Sequence, residues 1–124
     1  MQANVSEDLL QEFLEAFNRH DLDAVMGFFA DDCVLYTPRG AAPRGDRYEG
    51  KTAVRAGLVK RFEGIPDVHY GEARHWVGTE FGVSEWTLTG TATSGTSVEV
   101  RGVDLLEFSG GKITRKDSFW KIVG

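Results

Sequence analysis

The stretch GVDLLEFSGGKITRKDSFW, residues 102–120, reads as two strands joined by a tight turn, and it sets the class of fold. Alternation in the first strand puts Val98, Val100, Asp104, Leu106 and Phe108 on one face and Ser97, Glu99, Arg101 and Glu107 on the other. A single carboxylate, Asp104, therefore falls on the apolar side. In the second strand Thr114, Lys116, Ser118, Trp120 and Ile122 oppose Ile113, Arg115, Asp117, Phe119 and Lys121, with SGG as the turn. Toward the N-terminus the pattern recurs at roughly 68–77 and 82–93, with GTEFG and TSG as turns, which predicts an antiparallel meander of four strands.

Ahead of the meander the period changes. Ser6 can cap a helix whose first turn carries Glu7 and Asp8, and Leu9, Leu10, Phe13, Leu14 and Phe17 recur at helical spacing. Asp21 or Asp23 can cap a second helix with Leu22, Val25, Met26 and Phe29 as its apolar set, ending at Asp31-Asp32. CVLYT, residues 33–37, is β-branched and aromatic and is stopped by Pro38, so it reads as the first strand. PRGAAPRGDRYEG reads as a loop, and Val54, Leu58 and Phe62 mark a third helix from about Lys51 to Phe62. Helices come first and strands follow, with no repeat or break in composition. The expectation is one α+β domain over residues 1–124, its helices packed on one face of a curved sheet.

The totals narrow the function. A net charge of −5, with no extended Lys/Arg run, disfavours nucleic acid as a partner. No apolar run approaches the roughly 18–20 residues that span a bilayer, and MQANVSEDLLQEF carries acids where a secretory signal carries bases, so no membrane partner and a cytoplasmic location are expected. Cys33 is the one cysteine, which excludes an internal disulfide. By strand parity His69 and His75 share a face about 20 Å apart, too far for one metal, and His20 lies in a helix connection. Without a phosphate loop, a nucleophile elbow or a ligand cluster, neither metal nor cofactor is expected.

The order of these elements, with ADDCVLYTP after the second helix and GVDLLEFSGGKITRKDSFW at the end, resembles the nuclear transport factor 2-like superfamily, specifically its SnoaL-like branch. The resemblance implies a cone-shaped α+β barrel of the cystatin-like type, with three helices held in a bent, mostly antiparallel sheet and a pocket at its open end. Such folds serve isomerases, cyclases, dehydratases, hydrolases and non-catalytic modules, so the fold does not fix the chemistry. The ketosteroid isomerase of the superfamily works with a basic Asp, an oxyanion-hole Tyr and a protonated Asp. The positions matching the first two are Thr37 and Phe13, which supply neither base nor hydroxyl; the third matches Asp104.

The resemblance places the Trp120 set inside. Lys116 and Trp120 then face the same cavity as Asp104, with Trp86 and Leu88 inward on the preceding strand. Leu106 and Phe13 add to the lining. A carboxyl alone in an apolar pocket keeps its proton and donates; one paired with an ammonium stays ionised. The paired form is favoured: Asp104 as base or anchor, and Lys116 as the partner of a developing oxyanion. A purely structural pair is the competing reading, and a bulge near SGG is the feature that would turn Lys116 outward.

Tyr36 either lines the pocket or caps the core, and Arg39, Arg44 and Arg47 either rim the opening for an anionic substrate or form a solvated loop. Glu85, Thr87, Thr89, Glu99, Arg101, Val103 and Leu105 make an outer face of mixed character, which suits a homodimer contact. The expected function is a cofactor-independent acid–base enzyme, an isomerase, cyclase, dehydratase or hydrolase, on a lipophilic carbonyl- or hydroxyl-bearing small molecule. The alternative is a ligand-binding or interaction module of the same fold.

Overall fold

The computed structural model describes residues 5–124. Helix α1 spans Glu7–Asn18, and the Ser6 hydroxyl accepts the Leu9 N–H at 3.0 Å, closing its first turn as a cap should. Its buried stripe is Leu10, Phe13, Leu14 and Phe17. Helix α2, Leu22–Met26, is capped by Asp21 and stops at Gly27. It is shorter than its apolar spacing suggests. Phe29 opens strand β1, Phe29–Tyr36, and a register irregularity between Phe29 and Val34 leaves Asp31 and Asp32 exposed within the strand rather than at a helix end.

Strand β2, Arg47–Glu49, lies inside the segment that reads as a loop, where it pairs antiparallel with β1. Three residues are too few for alternation to register. Helix α3 covers Lys51–Gly64, and the meander follows as β3 His69–Gly78, β4 Phe81–Thr91, β5 Ser97–Ser109 and β6 Lys112–Trp120. The sheet runs β2-β1-β6-β5-β4-β3, with β1 parallel to β6 and every other neighbour antiparallel. Its curved inner face holds the helices over one apolar cluster that includes Phe13, Phe17, Val54, Trp86 and Leu106. This is the α+β cone, unclosed between β2 and β3. Among the described residues no helix is long and apolar enough to cross a membrane.

Two bulges revise the parity reading. Between Glu107 and Phe108 the β5–β6 register shifts, so that Ile113, expected outside, sits opposite Phe108 with no exposed surface. Lys116 and Ser118 nevertheless stay on the inner face, because the extra residue, Thr114, precedes them. In β3, Gly71 pairs with Thr87 and Arg74 with Glu85, which leaves two residues, Glu72 and Ala73, opposite Trp86 alone. Glu72 takes a left-handed φ of 51° there. His69 and His75 consequently lie on opposite faces, His69 across from Thr89 and His75 across from the buried Ser84.

Candidate active site

Asp104, Ser118 and Lys116 meet because β5 and β6 are in register at Asp104–Ser118, and Lys116 lies two residues from Ser118 on the same face. The Ser118 hydroxyl donates to Asp104 Oδ1 at 2.6 Å, and Lys116 Nζ donates to the same oxygen at 3.2 Å and to Ser118 Oγ at 2.8 Å. Across β4, Trp86 Nε1 donates to Asp104 Oδ2 at 3.1 Å. The indole reaches that far because Gly102 faces it: a Cβ at Gly102 would fall 2.6 Å from the Trp86 ring and 2.5 Å from the Phe119 carbonyl oxygen. With Asp104 at 5% exposure and Lys116 at 6%, three donors satisfy a carboxylate that water does not reach. That is why an acid can occupy the dry side of β5.

Above this network lies an open cavity of about 190 Å³. Lys116, Ser118 and Trp86 form its floor; Phe17, Leu58, Tyr48 and Tyr70 form its walls; Trp120, Thr37, Arg39, Asp46, Lys60 and Arg61 surround its mouth. Asp104 does not line it. The carboxylate borders a much smaller space beneath, about 10 Å³, shared with Leu10, Phe13, Leu14, Phe17, Tyr70, Ser84 and Lys116. A ligand in the larger cavity therefore meets Lys116 Nζ and Ser118 Oγ before it meets Asp104.

Tyr70 borders both spaces. Burial drives its phenol well above the ordinary tyrosine range, against a smaller opposing pull from Arg61 and with a contribution from Asp104. It stays a neutral hydrogen-bond donor. His75 Nε2 faces Gln11 Oε1 at 2.7 Å and its Nδ1 faces Ser84 Oγ at 2.9 Å. Burial holds this imidazole below its usual value, with Glu7 pulling weakly the other way.

Of the residues singled out in the sequence, Trp86, Trp120 and Lys116 line the larger cavity, and Phe13 lines the smaller. Leu106 is packed in the core and borders neither. Tyr36 points the other way, because its neighbour Leu35 takes the inward position on β1. It sits instead across from Asp117, with Arg44, Arg47 and Arg115 against its ring and Arg47 Nε donating to its hydroxyl at 3.2 Å. Arg44 and Arg47 leave the rim with it; Arg39 remains.

Thr37 closes the loop between β1 and β2, donating to the Arg39 carbonyl at 2.7 Å and accepting the Asp46 N–H at 3.0 Å. Ser118, Tyr70, Tyr48, Lys60 and Arg61 were not singled out in the sequence. Ser118 was within reach, since it shares the Lys116 parity. Lys60 and Arg61 carried no signal, because consecutive cations near a helix end read as a solvated turn. Among the described residues no three His, Cys, Asp or Glu side chains are grouped to hold a metal.

A helix-filled α+β cone with a polar network at the floor of a small aromatic cavity defines the class. The sequence matches the family model described as a SnoaL-like domain over residues 10–116, and the chain belongs to that family. No protein of curated function matches it. Among solved structures it is similar to a nuclear transport factor 2-like protein of unknown function from Burkholderia pseudomallei K96243, at 24% identity and a TM-score of 0.82, covering 92% of this chain and 88% of that one. It is also similar to a candidate polyketide cyclase from Xanthomonas campestris pv. campestris, at 22% identity and a TM-score of 0.79, over 92% and 88% of the two chains. TerC, solved with polyporic acid, matches at 16% identity and a TM-score of 0.78, over 92% and 89%. At these identities the likeness is one of fold.

Proposed function

We propose that this protein is a cofactor-independent acid–base enzyme acting on a small lipophilic molecule that bears a carbonyl or hydroxyl group. The observation that carries this reading is the Lys116–Ser118–Asp104–Trp86 network at the cavity floor. An ammonium and a hydroxyl held in a water-poor site, with the Tyr70 phenol at the wall, are the donors that a developing enolate or alkoxide needs. Asp104 acts from behind them: a proton leaving the ligand reaches it through Ser118 Oγ, which takes that proton as it passes its own to Oδ1. Lys116 stays charged throughout and supplies the field.

The cavity's 190 Å³ is below the roughly 300–1,000 Å³ that accommodates drug-sized ligands, which argues against steroids. With Thr37 and Phe13 at the isomerase's base and tyrosine positions, steroid isomerisation is not the reaction proposed. The co-crystallisation of TerC with polyporic acid supports a small organic guest for a cone of this kind. A binding module is the second reading, favoured by one observation: Asp104 is fully engaged and does not border the larger cavity. The outer sheet face carries the apolar surface for a homodimer.

The test is turnover and binding on one panel of small ketones, epoxides and hydroxy acids, with Lys116→Met as the comparison. An enzyme loses turnover of its substrate by about 10²–10³-fold in the variant while still binding it. Binding without turnover by the unaltered protein would establish the module instead.

A further inference from the structure

Cations are not spread evenly over this acidic chain. Arg47, Arg55, Arg101 and Arg115 each hold a carboxylate within 4.0 Å, and all four lie away from the cavity. Arg39, Lys60 and Arg61, which converge on the cavity mouth from the β1–β2 loop and from α3, have no such ion-pair partner among the described residues. Arg19, Arg44, Arg74, Lys51, Lys112 and Lys121 share that lack but do not border the cavity. The one acid at the mouth is Asp46. Three cations against one carboxylate give the opening a local charge opposite in sign to the chain's net −5.

Two of these cations are held in place. The Arg61 guanidinium lies over the Trp120 ring, 4.4 Å from its centroid, which fixes its plane and leaves its N–H edges to meet an oxyanion. Lys60 Nζ donates to the Tyr48 hydroxyl at 3.1 Å. Below the rim, Tyr48, Phe17, Tyr70 and Trp86 line the walls and floor with rings. At the bottom, the Lys116–Asp104 ion pair is internally compensated and leaves hydrogen-bonding capacity without net charge.

We infer that the cavity takes a small planar aromatic anion, its carboxylate held by Arg61, Lys60 and Arg39 at the mouth and a carbonyl or hydroxyl oxygen directed at Lys116 and Ser118. The inference rests on the small-molecule reading above and specifies its substrate class. A planar conjugated acid with oxygens at opposite ends satisfies both poles; a neutral terpenoid or steroid leaves the rim unpaired, and a cation is repelled.

Three probes of one shape test it by calorimetry: 6-hydroxy-2-naphthoate, its neutral carboxamide and the corresponding naphthylmethylammonium. The carboxylate is expected to bind about tenfold tighter than the carboxamide, and the ammonium weakest. Arg61→Gln should shrink the carboxylate's advantage by about fivefold without changing carboxamide affinity. Arg44→Gln, which removes the same charge beside Tyr36 on the other face, should leave it intact. Equal affinity for carboxylate and carboxamide, a preference for the ammonium, or an equal effect of both arginine variants overturns the anion assignment while the small-molecule reading stands. Binding of none of the three overturns both.

Discussion

Asp104 and Lys116 are each almost sealed from water, so neither can be removed without stranding the other. Asp104→Ala leaves a buried ammonium with Ser118 as its one hydrogen-bond acceptor and the Phe17 ring beside it, a loss of about 3–5 kcal/mol in urea denaturation. Lys116→Met should cost less, because the carboxylate keeps Ser118 and Trp86 as donors. The double variant Asp104→Leu/Lys116→Met should recover most of the loss, since an apolar pair of similar volume fills the space without stranded charge. Additive losses would show that the pair is not coupled in the way the 3.2 Å contact implies. Gly102→Ala probes the same network from its far side. Its Cβ would overlap the Trp86 ring and push the indole off Asp104, costing about 1–3 kcal/mol and altering the near-ultraviolet circular dichroism of that tryptophan.

At the scale of strands, alternation alone identifies the inner face of β5, because β5 pairs with β4 without interruption from Ser97 to Glu107. Asp104 and Leu106 follow from that alternation, whereas the inward side of Lys116 on β6 follows from the resemblance and not from strand parity. The same rule failed for Ile113 in β6 and for one of the two histidines in β3, each time at a bulge. A bulge adds one residue and inverts parity beyond it; the one at Thr114 lies close to the SGG turn, where a bulge is expected, but it flips Ile113 rather than Lys116, and the one at Glu72-Ala73 carries no glycine or proline at the bulged position to advertise it. The mouth was illegible for a different reason: Lys60 and Arg61 become neighbours of Arg39 only through the packing of α3 against β1.

The β3 bulge also has a thermodynamic signature, because it turns His75 inward. With its folded value held below the ordinary imidazole value by burial, the unfolded chain binds more protons than the native one between the two. The His75 contribution is thus fully present above about pH 6.5 and is lost as pH falls through the folded value. Unfolding midpoints taken from pH 8 down to pH 5 should fall more steeply for the native sequence than for His75→Gln. Parallel profiles would refute an inward, desolvated imidazole.

For the molecule as a whole, the two faces of the sheet carry different chemistry. The inner face is committed to the helices and the cavity. On the outer face the register sets Leu105 beside Val83 and Val83 beside Trp76, with Val103 and Phe119 paired in the adjacent row. Phe119 is 50% exposed, Trp76 44% and Leu105 38%, and the register sets these side chains in neighbouring rows of one face. One border of it is polar and internally neutralised: Arg101 binds Glu85 at 2.7 Å and the Thr87 hydroxyl at 2.7 Å, and that hydroxyl donates to Glu72 at 2.7 Å. An apolar centre with a satisfied polar margin is the anatomy of a protein interface, and a two-fold axis would lay the patch on its own copy. Sedimentation at micromolar concentration should accordingly give a species of twice 13.7 kDa, and Leu105→Glu with Phe119→Glu should reduce it to 13.7 kDa. Because the cavity opens on the other side of the sheet, the monomeric variant should bind the naphthoate probe with unchanged affinity. A single 13.7 kDa species from the unaltered chain would refute the dimer, and lost ligand binding in the variant would show that the two faces are not independent.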